Sequence, residues 1–165
     1  MRSVTVDNMV SPFSIMLSQS DKDIRDLIRV RELLEVEAAS QAAAHITPEY
    51  ADKLNAILEQ MKQTAAAGGD ATAARVDDDH FHNLIAEISQ NKALSMISEL
   101  CAKLLSDSRR AALEIPGQAD IIYTAHKKIA DAVISGDSEK AARCMRQHLR
   151  NAQKAMERYY RSINR

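Results

Sequence analysis

Residues 77–82 read DDDHFH, which puts three carboxylates and two imidazoles within six positions of a stretch that otherwise has helical spacing. A helix turns about 100° per residue, so Asp78 and His82, four apart, project on the same side. Asp79 and His80 point away from that side, toward solvent. The apolar stripe that Asp78 and His82 border consists of Phe81, Leu84, Ile85 and Ile88. Such a pair could bind a metal or exchange protons, but alone it more often makes an ordinary surface or interior contact.

Two more histidines fall on the inner sides of other predicted helices, His126 in AHKKIADAV and His148 in CMRQHLRNA. Each alone is more often a buried structural histidine. With Asp78 and His82 they give three imidazoles and one carboxylate on three helices, a set that builds metal sites in bundle cores. These ligands suit Zn²⁺, Ni²⁺ or Fe²⁺ rather than Ca²⁺ or Mg²⁺, and Zn²⁺ is the first expectation. His45 lacks comparable surroundings and is expected to be structural or exposed.

An arginine stands on the core-facing stripe of the helix predicted for residues 21–46. Burying Arg31 there without an anionic partner would be costly. The partner could be Glu35, one turn on, or the carboxylate of a ligand, which the planar guanidinium suits, and both could hold. The same helix contains EAASQAAAH, whose small side chains either allow close helix packing or leave space for a ligand.

The composition indicates which elements must position these side chains. The 165 residues suit one domain, 45% of them are hydrophobic, and the low counts of Gly (4) and Pro (3) favour long helices. A formal net charge of −1 gives no general attraction to nucleic acid or membrane. No apolar run nears the roughly 20 residues that span a bilayer. Cys101 and Cys144 form no CxxC pair, so a reduced, cytoplasmic protein is expected.

Apolar spacing and helix caps predict an all-α protein, an antiparallel bundle of six or seven helices that encloses a metal and ligand cavity. Thr47 and Pro48 begin one helix, and Asn91 caps another that runs to about Leu113. Gly136 ends the helix before the last one. Residues 1–10 are expected to be a linker or tail, and residues 11–165 to form a single domain.

Three stretches, RELLEVEAASQAAAHIT, DDHFHNLIAEISQNKAL and HKKIADAVISGDSEKAARCMRQHL, follow one another in an order typical of one family. From about Asp21 to His148 the chain resembles the FCD domain, the effector-binding domain of FadR-type members of the GntR transcription regulators. The resemblance implies that Arg31 binds the effector and that Glu35 supports a metal ligand from behind. The family's four metal ligands fall on Asp78, His82, His126 and His148.

Two residues depart from the family pattern. Ala125 stands where many members carry Glu, so the surroundings of His126 differ, and Gln90 stands where Gly is usual. The winged helix-turn-helix that precedes this domain in such regulators has no room in the chain. We therefore expect an excised domain or a stand-alone relative, and the linker-like residues 1–10 favour excision.

The resemblance implies the sensing domain of a dimeric DNA-binding regulator and not an enzyme. A small organic acid of the 2-hydroxy or 2-keto carboxylate class would complete the coordination of the metal and reposition the attached DNA-binding heads. Two other functions stay open, a metal-dependent hydrolase and a plain helical dimerisation module with structural histidines. The sequence contains no HExxH and no Glu-x-x-His of the di-iron type, and Glu35 is its one candidate for a general base.

Overall fold

The computed structural model describes residues 5–17, 21–67 and 70–163, which are mostly helical and contain no strand. The prediction of an all-α protein is confirmed, but the described residues form eight helices where six or seven were expected. None of these eight is long and apolar enough to cross a bilayer. In chain order they are α1 (Val6–Met16), α2 (Asp21–Ala44), α3 (Pro48–Ala66), α4 (Ala71–Ile88), α5 (Lys92–Leu104), α6 (Ser106–Leu113), α7 (Gln118–Ile134) and α8 (Ser138–Ile163).

One helix boundary was missed in the sequence. The single helix expected from Asn91 to about Leu113 is divided at Leu105, which ends α5 and precedes α6. The apolar side chains keep their helical spacing across this point, because Leu105 itself is buried and lies four residues after Cys101. Periodicity alone therefore shows no boundary there.

The N-terminal helix begins earlier than the sequence predicts. Residues 6–10, expected within a linker or tail, are the first part of α1. Thr5 precedes the helix as its N-cap, and Val6 is buried. Residues 1–4 lie outside the described part of the chain, and a link from residues 1–10 to a preceding domain stays a prediction.

Local signals located other helix ends correctly. The Thr47 hydroxyl accepts a hydrogen bond from the backbone N–H of Tyr50 at 3.4 Å, and a proline opens α3. Asn91 caps α5 by accepting from the backbone N–H of Leu94 at 3.1 Å. Gly136 has a φ of +72°, a left-handed conformation that glycine adopts at little cost, and it lets the chain turn from α7 into α8.

The central element is α2, which packs along α8 and also contacts α4, α5 and α7. Four of its alanines are at most 3% exposed and belong to the main apolar core. These are Ala38, Ala39, Ala42 and Ala43. The Ala-rich stretch therefore serves close helix packing, one of the two alternatives left open by the sequence. This packing brings α4, α7 and α8 close enough for their inward polar side chains to meet.

Candidate metal centre

The four candidate ligands converge inside the bundle. Asp78 and His82 project from α4, His126 from α7 and His148 from α8, and all four are buried. Nε2 of His148 lies 3.2 Å from Nε2 of His82 and 3.2 Å from Nε2 of His126. Oδ1 of Asp78 lies 3.5 Å from Nε2 of His82 and 3.3 Å from Nε2 of His126. All four ligand atoms fall within 4.8 Å of one another.

These separations fit a metal ion at the centre of the cluster. Bonds of 2.0–2.1 Å to a tetrahedral ion place the ligand atoms about 3.3 Å apart. Hydrogen bonds account for the cluster less well, because one ring nitrogen carries either a proton or a lone pair and cannot form two well-directed bonds. Three nitrogens and one oxygen are also ligands that Zn²⁺, Ni²⁺ and Fe²⁺ accept. The four side chains therefore fit the divalent transition-metal ion that the sequence indicates.

Contacts behind two of the rings leave Nε2 to face the centre. Nδ1 of His82 lies 2.7 Å from Oε2 of Glu35, a close charge contact rather than an aligned hydrogen bond. Because a carboxylate only accepts, the neutral form of this ring carries its proton on Nδ1 and its lone pair on Nε2. Nδ1 of His126 lies 3.3 Å from the sulfur of Met61, a weak acceptor, and Phe81 stacks on the same ring. Such contacts fix ring orientation in metal sites.

Asp78 is held from behind by Arg109 of α6, which the sequence interpretation did not single out. The Arg109 side chain is only 4% exposed, and its Nη2 donates to Oδ2 of Asp78, so that Oδ1 faces the histidines. A signal was present in the sequence. Arg109 follows Leu105 by four residues and precedes Ala112 by three, on the apolar side of its helix. An arginine on an apolar stripe is the same pattern that pointed to Arg31.

Arg31 and Glu35 form a buried pair on α2. Nε of Arg31 donates to Oε1 of Glu35 at 2.6 Å, and Nη2 donates to Oε2 at 3.4 Å. Glu35 also contacts His82, so it joins the arginine to the candidate ligands. Arg31 thus has the structural partner that the sequence offered, and it also lines a cavity beside His148.

Burial and charge act differently on the three histidines. Burial, reinforced by the proximity of His82, lowers the pKa of His148 to about 3. Burial and the nearby His148 hold the pKa of His126 well below its ordinary value. Burial also opposes the charged form of His82, but the carboxylates of Glu35 and Asp78 outweigh it and raise that pKa. Two of the three rings are therefore neutral, as metal ligands must be.

The two buried carboxylates stay ionised. Burial favours their neutral forms, but Arg109 and His82 hold the pKa of Asp78 well below its usual range. In the same way Arg31 and His82 hold the pKa of Glu35 below its usual range despite burial. Each carboxylate therefore keeps the negative charge that its arginine and a metal would require.

The other histidines, and the carboxylate next to Asp78, were expected to be exposed or structural, and the structure agrees except at one position. His80 is exposed on the outer face of α4, and His45 is exposed at the end of α2. Asp79 corrects one expectation, because it is only partly exposed and its Oδ1 lies 2.6 Å from Nη1 of Arg109. The outer face of α4 is thus tied to α6 at this point.

A small cavity of about 20 Å³ adjoins the centre. Its polar wall comes from Arg31, Asp78, Arg109, Gln118 and His148. A wider groove of about 390 Å³ lies between α7 and α8. The residues that line both spaces are Gln118, Ile122, His148 and Ala152. The inner cavity has room for about one water molecule. A larger ligand must therefore displace part of the wall.

Residues 26–151 match the FCD domain family, so the chain belongs to that family and the resemblance in its motifs is confirmed. The chain is 27% identical over 165 residues to the HTH-type transcriptional regulator LutR of Bacillus subtilis (strain 168), covering 97% of this chain and 74% of that protein. It is 25% identical over 156 residues to the putative L-lactate dehydrogenase operon regulatory protein of Escherichia coli (strain K12). That match covers 92% of this chain and 58% of the relative.

A solved structure, E. coli McbR/YncC, is similar in fold. Its TM-score is 0.76 at 19% sequence identity, over 86% of this chain and 67% of that one. At this identity the similarity shows a shared helical architecture. It gives no information about the ligand of either protein.

Proposed function

We propose that this chain is the effector-binding domain of a transcription regulator and senses a small organic acid at a divalent metal ion. One observation carries the proposal: three imidazole nitrogens and one carboxylate oxygen, from Asp78, His82, His126 and His148, converge in a buried centre beside a cavity that Arg31 lines. Membership in the FCD family supports the regulatory part. So do relatives whose names describe transcription regulators.

The ligand set favours Zn²⁺, with Ni²⁺ and Fe²⁺ as alternatives. All three ions bind imidazole and carboxylate and can add ligands beyond four. The bound ion would supply a positive centre that accepts an oxygen ligand. The protein side chains would hold it and keep water access small, because all four candidate ligands are buried.

The charges around the centre favour an anionic ligand. Arg31 pairs with Glu35 and Arg109 pairs with Asp78, so these two buried pairs carry no net charge between them. The rings must be neutral to bind a metal. A divalent ion therefore adds two positive charges to a balanced cluster, and in a buried site such a charge is costly unless it is paired. A carboxylate would offset it.

A 2-hydroxy or 2-keto acid fits these features better than a simple acid. Its carboxylate and the neighbouring oxygen can bind the same ion, which is the reason for this preference. Arg31 would offer its remaining N–H groups to a carboxylate oxygen in a charge-assisted hydrogen bond. The E. coli relative is named for an L-lactate dehydrogenase operon, and lactate is a 2-hydroxy acid.

The acid would act by moving helices. A cavity of about 20 Å³ cannot hold such an acid, so binding would displace side chains of α6, α7 or α8. In a homodimer, this movement would reposition DNA-binding heads outside residues 1–165, in a cytoplasmic regulator without membrane contact. Exposed apolar side chains on the neighbouring helices α2 and α5 support a homodimer. They are Val30, Leu33, Met96 and Ile97.

Two other functions have less support. A metal-dependent hydrolase would need a general base near the ion, but Glu35 is already engaged by Arg31 and His82 and its pKa is held low despite burial. A plain dimerisation module would leave the convergence of three Nε2 atoms without a role. A plain dimerisation module predicts that organic acids bind metal-loaded and metal-free protein equally. A hydrolase predicts that the purified protein turns over carboxylates or esters.

Elemental analysis and calorimetry test the proposal together. Protein purified without chelator should contain about one transition metal ion per chain, and a His126→Ala, His148→Ala double variant should contain almost none. The metal-loaded wild type should bind L-lactate or pyruvate more tightly than acetate. Equal metal contents in wild type and double variant would contradict the metal site. Unchanged binding of the best acid to metal-free protein would contradict the acid-binding part.

A further inference from the structure

The two arginines that line the inner cavity differ in how many of their donors are already used. Arg31 directs Nε and Nη2 at Glu35. Arg109 directs its Nη atoms at Asp78, at Asp79 and, at 3.5 Å, at a backbone carbonyl of α5. Nε of Arg109 is buried, and among the described residues it has no hydrogen-bond partner.

A buried N–H without a partner is rare in folded proteins and calls for an explanation such as a strained site, an ordered water or a ligand. Arg109 lines the inner cavity together with Arg31, Asp78 and His148. The side chain with the free donor therefore borders the space that an acid on the metal would enter. Its position is fixed, because two carboxylates hold the other end of the guanidinium.

We propose that Arg109 determines acid binding by donating its Nε–H to a carboxylate oxygen of the acid. The inference rests on the proposed function, because it assumes an acid at the same centre. An oxygen not bound to the metal would accept this hydrogen bond and so orient the acid. Arg109 thereby joins the acid to Asp78, a candidate metal ligand, while Arg31 contributes the donors that Glu35 leaves free.

The Nε–H signals of arginine in ¹⁵N-labelled, Zn²⁺-loaded protein report on this contact directly. Saturating L-lactate should shift the Nε–H signal of Arg109 further than that of Arg31, whose Nε already donates to Glu35. The Arg109 signal is assigned by through-bond correlation and by its loss in Arg109→Lys. A shift confined to Arg31, or no shift of the Arg109 signal when calorimetry shows bound lactate, would overturn the proposal.

Affinity measurements on variants provide a second test. Arg109→Lys keeps a positive charge beside Asp78 but removes the Nε–H. It should weaken L-lactate binding at least about 10-fold, the effect of losing one hydrogen bond to a charged group. Its affinity for zinc, measured by competition with a coloured chelator, should change much less. The matched control is Arg110→Lys, at the next and exposed position of α6, which should change neither affinity.

The possible outcomes separate the two proposals. Equal lactate affinities in wild type, Arg109→Lys and Arg110→Lys would overturn the role of Arg109 and leave the proposed function intact. Wild-type protein that holds zinc but binds neither acetate, L-lactate, pyruvate nor citrate would contradict the proposed function, and the inference with it. If Arg109→Lys loses zinc, the signal shifts of the wild-type protein decide the question.

Discussion

Helices α2, α7 and α8 each contribute to two regions of the core with opposite chemistry, called here its apolar half and its polar half. The apolar half contains Ala38, Ala39, Ala42 and Ala43 of α2, Ile129 and Val133 of α7, and Ala141 and Met145 of α8, all at most 3% exposed. The polar half contains Arg31 and Glu35 of α2, His126 of α7 and His148 of α8, joined by Asp78 and His82 of α4 and Arg109 of α6. One turn of α7 separates His126 from Ile129, so the two halves adjoin.

The difference shows which half stabilises the fold and which half depends on a ligand. Burying an aliphatic side chain contributes about 1.5–3 kcal/mol without any partner molecule. Buried charges instead repay their desolvation only when every partner is present, and removing one partner of a buried pair costs about 3–5 kcal/mol. The apolar half should therefore stabilise the protein under all conditions. The polar half should respond to metal, pH and acid.

The largest expected effect is the loss of zinc-dependent stabilisation in His126→Ala. Zinc that binds only the folded state should raise the free energy of unfolding by about 4 kcal/mol at a free concentration 1,000 times Kd. His126→Ala should remove most of this gain because a ligand is lost. Chemical unfolding with and without Zn²⁺ measures it.

A conservative change in the apolar half provides the comparison. Ile129→Val, three residues further along α7, should cost about 1 kcal/mol with or without zinc, because it removes one buried methylene group. The zinc-dependent gain should stay as in wild type. If zinc stabilises His126→Ala as much as wild type, or no longer stabilises Ile129→Val, the two halves are not divided in this way.

An effect of intermediate size concerns pH. In metal-free protein the pKa values of His126 and His148 are lowered, to about 3 for His148, against about 6.5 in the unfolded chain. Between about pH 3 and pH 6.5 the unfolded state therefore binds more protons at His148 than the folded state does, and the free energy of unfolding falls on acidification by about 1 kcal/mol per pH unit. His126 acts in the same direction. His82 has the opposite sign. Its raised pKa gives stability that is complete below about pH 6.5 and is lost as pH rises through its folded pKa.

Urea unfolding at pH 6.5, 5.5 and 4.5 measures the contribution of His148 when metal-free wild type and His148→Leu are compared, because the other titrating groups are present in both proteins. Over this range His148→Leu should reduce the fall in stability by about 1 kcal/mol per pH unit, because residue 148 no longer titrates. Ile129→Val should lower stability equally at each pH. The same pH dependence in wild type and His148→Leu would contradict a lowered pKa for His148.

The sequence predicts each half only as far as local spacing reaches. Helical periodicity shows that Asp78, His82, His126 and His148 face inward, but their meeting point depends on contacts between distant segments and followed from the family pattern. Arg109 also lies on an apolar stripe, yet its partner Asp78 is 31 residues away. The apolar half is simpler to predict, because any neighbouring apolar stripe satisfies it, whereas each buried charge needs one particular partner.

The helix count was wrong for a related reason. The division at Leu105 leaves the apolar stripe continuous, so nothing in the residue types marks it. By contrast, the turn at Gly136 was predicted correctly, because glycine has a particular backbone preference. Predictions from sequence therefore succeed where one residue determines the conformation and fail where tertiary packing determines it.

The smallest expected effect lies outside both halves, at the turn between α4 and α5. Gln90 has a φ of +57°, a left-handed conformation that costs a residue with a Cβ atom about 1–2 kcal/mol. The family resemblance places Gly at this position, and the backbone supplies the physical reason. Gln90→Gly should raise the free energy of unfolding by about 0.5–1 kcal/mol, because the relief of strain is partly offset by the greater freedom of glycine in the unfolded chain.

The control at this position is Gln90→Ala, which shortens the side chain but keeps the Cβ atom. Gln90 is exposed, so this variant should stay within about 0.5 kcal/mol of wild type. The gain in Gln90→Gly should be the same with and without zinc and should not depend on pH, because the substitution touches neither half of the core. Equal stabilities of the two variants would contradict strain at Gln90. A gain seen only with zinc would show that this turn, eight residues beyond His82, is coupled to the candidate metal centre.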